Sequence, residues 1–288
     1  VDFYIAALLL GFAFCAMGFG IYISLRIFNI PDITTDGSFT LGAAVTAALI
    51  TRGVSLPLVF LLVTAAGALS GMATGLIHTR MKIQPLLAGI LVMTSLYSVN
   101  LSIMGRSNIP LIEVPQIQEL FTFISSDTAR WLILLGAVSI VLLFLLAWLL
   151  RTDFGIAMRA TGNSEVMVRA LGVDTRNMKV TGLAMANALT AISGFLLCQF
   201  QQFSDINMGI GIVIFGLGSV MMGEAFTNLF KTPSILLRLA GVMVGCIVFR
   251  IIIAAALDVG INPNWLKLIT AVIVLVAVGL PNLKKPAG

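Results

Sequence analysis

Charged side chains are missing from long tracts of this sequence. Stretches without Asp, Glu, Lys or Arg fall at 3–25, 37–51, 53–79, 83–105, 131–150, 180–204, 206–223 and 268–283, and 239–257 is broken only by Arg250. A helix needs about 20 residues to cross the ~30 Å hydrocarbon layer of a bilayer, and most of these tracts meet that length. They are continuously apolar and do not alternate, which excludes a β-barrel. Across 288 residues there are 17 basic and 12 acidic side chains, or 10% charged, and the mean hydropathy is +1.08. Soluble domains carry roughly 25% charged residues. The shortfall excludes a soluble enzyme, a nucleic-acid binder and a disordered chain, and the basic residues are too scattered to make a nucleic-acid face. The expected fold is an all-α, polytopic membrane bundle of about eight or nine segments.

Cys15, Cys198 and Cys246 each lie inside an apolar run and only His78 accompanies them. Without paired spacings or further ligands they support neither a disulfide framework nor a metal site. They read as buried thiols. The chain opens on Val1, and its first apolar run is too long for the core of a signal peptide.

The loops set the orientation. Segment 151–179 holds Arg151, Arg159, Arg169, Arg176 and Lys179 against Asp153, Glu165 and Asp174, which predicts a cytoplasmic position. Segment 105–130 carries Arg106 and Arg130 against Glu113, Glu119 and Asp127 and is expected outside, with the N-terminus. Arg80, Lys82, Lys284 and Lys285 then fall inside, and Arg52 is a small violation.

Segment lengths repeat along the chain. Residues 37–51 span only about 22 Å as a helix, and 206–223 is interrupted by Gly209, Gly211, Gly216, Gly218 and Gly223. Each short segment follows a long one, and the two halves are expected in opposite orientations. Such paired, interrupted segments either mark a transport pathway or let helices pack closely through small residues. The expected organisation is one transmembrane domain over 1–288. It comprises a first half at 1–104, an extracytoplasmic loop at 105–130, a linking span at 131–150, the cytoplasmic segment at 151–179 and a second half at 180–288.

Within the cytoplasmic segment, Asn163 as N-cap and Gly172 as the residue beyond the C-cap bracket a predicted helix of about eight residues. Val166, Met167, Ala170 and Leu171 form an apolar strip, and Glu165 is four residues from Arg169 and can pair with it. Asp174 or Thr175 is placed to cap the next span. So short a helix has little stability alone, and its strip must meet the headgroup layer, its own bundle or a soluble partner. No phosphate-binding loop of the G-x-x-x-x-G-K-[ST] type occurs in the chain.

The run FGIAMRATGNSEVMVRALGVDTRNMKVTGL, from Phe154 to Leu183, resembles the cytoplasmic loop of ABC-importer permeases of the branched-chain amino-acid and ribose type. Arg159, Ala160, Gly162, Asn163, Ala170, Gly172 and Val173 carry that likeness. A second run, FNIPDITTDGSFTLGA from Phe28 to Ala43, resembles the Gly-rich re-entry of the second helix, in the form of a subgroup associated with tryptophan, tyrosine or related amino-acid uptake. The resemblance implies an inner-membrane subunit of a bacterial solute importer, paired with an identical chain—an importer whose ATP and Mg²⁺ are held by separate P-loop ATPase subunits and whose solute arrives on an extracytoplasmic binding protein.

 

In that family the first pattern forms the coupling helix docked on the ATPase. The positions implied here for ATPase contact are Arg159, Ala160, Gly162, Asn163, Glu165, Val166, Met167, Ala170, Leu171 and Gly172. The chain itself is then no enzyme, has no catalytic residue and carries no cofactor or metal.

Polar groups inside the spans need partners or water and are candidates for a solute path. Asp36 reads as an N-cap for Gly37–Leu41, which leaves backbone donors free for a carboxylate solute, and Asp32 as a second capping candidate. Ser38, Thr40, Asn100, Asn187, Gln199 and Gln202 either line the path or link helices. Arg250 is the costliest residue, with Asp258 or Glu224 as expected counter-charge or the solute as alternative. Arg238 is expected to snorkel, and His78 to sit at the interface. A secondary ion-coupled carrier or channel is the competing class, although such carriers place acidic or His residues in mid-span and most long spans here have none. An intramembrane protease is disfavoured, because Ser70 and His78 lie about 12 Å apart along one helix.

Overall fold

The computed structural model describes residues 2–112, 114, 116–118, 126–227, 230, 234–262 and 265–283, with side chains from 3 to 276 within those ranges. Glu113, Glu119, Lys284 and Lys285, which entered the orientation argument, lie outside the described residues. The uncharged tracts form helices α1 (Asp2–Ile21), α2 (Thr34–Ile50), α3 (Leu56–Arg80), α4 (Pro85–Met104), α5 (Asp127–Leu149), α8 (Thr175–Gln201), α9 (Ile212–Thr227), α10 (Ile235–Asp258) and α11 (Leu266–Leu283). Between α5 and α8 lie α6 (Asp153–Asn163) and α7 (Glu165–Ala170). Among the described residues, six helices are long and apolar enough to cross a bilayer, with α1 extended by a π-helical turn at Tyr22–Ile27. The protein is a multi-pass helical membrane bundle.

Local chemistry sets the boundaries. Prolines at the first turns of α3 and α4 lack only an N–H that would be unpaired there anyway. Gly105 closes α4 in the left-handed conformation at φ 68°, its N–H reaching the Leu101 carbonyl.

Helix α8 lies at the centre, packed by α1, α2 and α3. Gly67, Gly71 and Gly75 of α3 recur every four residues and bring its backbone against α8. A Cβ on Gly71 would fall 2.1 Å from the Leu183 carbonyl oxygen, and one on Gly75 2.8 Å from the Val180 Cα. On the other side, a Cβ on Gly42 of α2 would meet the Ala191 carbonyl oxygen at 2.1 Å. Without a strong hydrophobic drive between helices in lipid, such close backbone approach supplies the van der Waals contact that holds them. The apolar faces of α3 and α4, with Leu61, Leu69 and Leu87, point outward as lipid-facing surfaces do.

Two details differ from the sequence-based expectation. The tract 206–223 does not begin as a helix. Residues Phe203–Asp205 form a strand, β2, antiparallel to β1 (Asn108–Pro110), with Ile109 opposite Ser204. Asp205 then accepts the Asn207 N–H at 2.8 Å, Gly211 takes φ 86°, and α9 starts at Ile212. The turn formed by that aspartate and the left-handed glycine delays the helix. Secondly, α6 is a helix of 11 residues, where no helix was expected. Thr152 caps it by accepting the Gly155 N–H at 3.3 Å.

Candidate functional site: a braced surface helix and two cavities in the bundle

The surface helix α7 is built around one carboxylate. One oxygen of Glu165 accepts from Arg169 at 2.6 Å and from Thr175 at 3.1 Å, and the other accepts from Lys179. The Lys179 hydrogen bond, with Thr175 and Arg169 beside it, holds the Glu165 carboxyl below the usual carboxylate range. The cap differs from the expectation: Asn163 ends α6, and Ser164 caps α7 by accepting the Met167 N–H at 3.4 Å. Ser164 has extended backbone angles, which a helix-starting cap requires and Asn163, still helical, does not have. At the far end Val173 N–H reaches the Val168 carbonyl and Gly172 N–H that of Arg169, a Schellman closure around Gly172 at φ 86°. Asp174 then caps α8 by accepting the N–H groups of Arg176 and Asn177.

Only Val168 of α7 is buried. Val166, Met167 and Leu171 are 82%, 65% and 73% exposed, and Ala170 is exposed beside them. The expected apolar strip is therefore one continuous outward surface. Gly162 faces inward: a Cβ there would lie 1.6 Å from the Ile27 carbonyl oxygen, and its own carbonyl accepts from Asn29 at 3.1 Å. Ala160 is half-buried, Asn163 is exposed, and Arg159 joins Arg26 and Arg238 around a basic hollow of about 380 Å³. His78 sits at the end of α3 with its Nδ1 2.9 Å from the Ile83 carbonyl oxygen.

Apart from Arg250, the path candidates separate into three groups. Ser38 and Asn187 belong to a buried link between helices: Ser38 donates to Asn187 at 2.6 Å and lies 2.8 Å from Ser70, and Asn187 donates to Asp32 at 2.7 Å. Asp32 also accepts the Thr34 N–H at 2.9 Å and so caps its own helix. Gln199 and Gln202 hold the opposite end together. Gln199 accepts the Ile117 N–H at 3.1 Å through its side chain, whereas Gln202 accepts the Leu111 N–H at 2.8 Å through its main-chain carbonyl and is itself exposed.

Asp36, Thr40 and Asn100 do meet, in a cavity of about 240 Å³ walled also by Tyr97, Ile206 and Ile210. Asp36 is not the N-cap of Gly37–Leu41. It lies inside the first turn of α2, and its carboxylate accepts the N–H groups of Gly211 and Val213 at 2.9 and 2.8 Å. It thus caps α9 from the other half of the chain, satisfying donors that a helix start leaves unpaired. Asn100 donates to the Gly37 carbonyl at 3.2 Å, and its buried Oδ1 has no partner. The cavity therefore offers acceptors and suits a cationic or N–H-bearing group. Removing the cap leaves two donors unsatisfied, at about 1–3 kcal/mol for a buried group. Asp36→Ala is expected to lower the melting temperature of the detergent-purified protein, with Asp36→Asn in between. A melting curve for Asp36→Ala that overlays the wild type would remove this role.

Arg250 corrects another expectation. Glu224 pairs with Arg26 and Asp258 accepts from Tyr4, so neither counters it. Its guanidinium lies 4.1 Å from the Phe14 ring centroid and 4.9 Å from that of Phe215. Aromatic faces attract a desolvated guanidinium, a partner type that a search for carboxylates overlooks. Tyr97, which walls the cavity, and Phe14 and Phe215, which meet Arg250, were missed by sequence reasoning, since aromatics in apolar runs carry no distinguishing spacing.

Residues 3–279 match the family described as branched-chain amino acid transport system / permease component. The tyrosine transport system permease protein of Clostridioides difficile (strain R20291) is 36% identical over 267 residues, covering 93% of this chain and 87% of that protein. The uncharacterized protein RP368 of Rickettsia prowazekii (strain Madrid E) is 33% identical over 259 residues, covering 90% of each. The ribose import permease protein RbsC of Escherichia coli (strain K12) is 22% identical over 261 residues, covering 88% of this chain and 78% of that protein.

Proposed function

Because this chain belongs to the branched-chain amino acid transport permease family, we propose that it is the membrane subunit of an ATP-driven importer that carries an amino acid inward, an aromatic one of the tyrosine type. The exposed apolar strip of α7 carries this reading. A rigidly braced helix with three large apolar side chains in water needs a partner, and a cytoplasmic ATPase supplies the missing surface. The chain contributes no P-loop, so ATP and Mg²⁺ belong to that separate subunit. Two permease chains, identical in the simplest assembly, enclose the path in the bacterial inner membrane, and an extracytoplasmic binding protein delivers the solute.

In this assembly ATPase closure displaces α6 and α7, and the helices rock between outward and inward access. Asp36, Thr40 and Asn100 line a stretch of the path whose acceptors suit the solute ammonium, and Tyr97 offers an aromatic wall. Proteoliposomes holding the permease with its ATPase, and its binding protein outside, are expected to accumulate labelled tyrosine only with ATP inside. Uptake driven by an ion gradient without ATP would replace this reading with the secondary carrier.

A further inference from the structure

A second cavity, of about 480 Å³, adjoins the one that Asp36 borders, with Ile210 lining both. Arg250, Lys267 and Thr270 line it, and the other lining residues, Phe14 and Phe215 among them, are apolar or glycine. Its volume is within the range of small-molecule sites. Two cations thus share a cavity among membrane helices, and no lining residue is acidic.

Charges at such depth normally find a partner. No carboxylate among the described residues forms an ion pair with Arg250, and its shielded Nε donates to nothing. Asp36, whose charge acts on Lys267, forms no ion pair with Arg250, and its two oxygens hold the N–H groups of Gly211 and Val213. Phe14 and Phe215, their ring centroids 4.8 Å apart, both lie to one side of the guanidinium and accept no conventional hydrogen bond from it, so its N–H donors remain for a ligand. A planar fork of N–H donors is matched by a carboxylate, and the Lys267 ammonium adds a second favourable charge.

We propose that Arg250, with Lys267 and Thr270, forms a binding site for the carboxylate of a small solute. The choice of an aromatic amino acid as ligand rests on the function proposed above; the anion site itself rests on the cavity. The test uses the permease alone in phosphatidylcholine nanodiscs, titrated by ligand-detected NMR with L-tyrosine, 3-(4-hydroxyphenyl)propionate, which keeps only the carboxylate, and tyramine, which keeps only the amine. Both acids are expected to bind and to compete, with tyramine at least tenfold weaker. Arg250→Gln is expected to weaken both acids at least tenfold, Lys267→Gln about threefold, and Arg250→Lys less than Arg250→Gln.

If Arg250→Gln does not fold, the acid–amine contrast on the wild type and the Lys267→Gln titration decide. Acid binding unchanged in a folded Arg250→Gln protein overturns the site, as does tyramine binding as tightly as the acids. So does a folded permease that binds neither acid. Native mass spectrometry supplies the last arm: an anionic phospholipid retained by wild type but not by Arg250→Gln, with no acid binding, assigns the cavity to lipid instead. None of these readouts involves ATP or uptake, so failure of the site and failure of the importer reading are separable.

Discussion

A permease with aspartate at both Val166 and Leu171 is expected to insert and fold as the wild type does, yet to lose its ATPase. In the free protein these side chains are 82% and 73% exposed, so the substitutions remove little packing. In the docked state each loses about 1.5–3 kcal/mol of apolar burial, and each new carboxylate must be desolvated as well. A combined loss of at least ~3 kcal/mol corresponds to more than a hundredfold in affinity, at 1.4 kcal/mol per factor of ten. Co-purification of the ATPase and ATP-dependent uptake report this directly, while the melting temperature reports folding. Two further variants test the shape of the helix. Glu165→Arg places a fifth cation among Lys82, Arg169, Arg176 and Lys179, and Gly172→Pro cannot reach φ 86°. Both are expected to lose association as well. Full ATPase recovery with the double aspartate variant would rule out α7 as the docking element.

The second large effect is expected from a single methyl group. Gly71→Ala puts a Cβ 2.1 Å from the Leu183 carbonyl oxygen, with the backbone of the central helix and no flexible side chain in the way. Ordinary overpacking costs about 1–3 kcal/mol; here α3 and α8 must move apart, so the loss is expected at or above the upper end. Gly136→Ala is the matched control, since nothing lies within 4 Å of a Cβ there. It is expected to be neutral or stabilising by up to ~1 kcal/mol, because alanine is the better helix former. Thermal unfolding of the two proteins in one detergent separates them. Equal melting temperatures would mean that α3 and α8 are not held at backbone contact.

The helical spans were legible because uncharged runs of that length have few other uses. Their ends were legible where a proline or glycine fixed the backbone, as at Pro85 and Gly105. What was not legible depended on partners distant in sequence. Asp36 has the sequence context of a local cap, but its acceptors serve Gly211 and Val213 in the other half. Arg250 invited a carboxylate and found two phenyl rings. Helix α6 escaped notice because Gly155 and Gly162 lower its helix propensity. Both are there for tight backbone contacts, Gly155 against the Leu149 carbonyl and Gly162 against that of Ile27. Of the path candidates, polarity alone did not distinguish Ser38 and Asn187, which join helices, from Thr40 and Asn100, which border a cavity.

The Gly162–Ile27 contact has a mechanical consequence. Where side chains separate two segments, a small push is taken up by rotamer changes. Here main chain meets main chain, and there is no side-chain torsion to yield. A displacement of α6 therefore reaches Ile27 undamped, seven residues before α2 begins and nine before Asp36. The joint behaves as a hard stop rather than a spring.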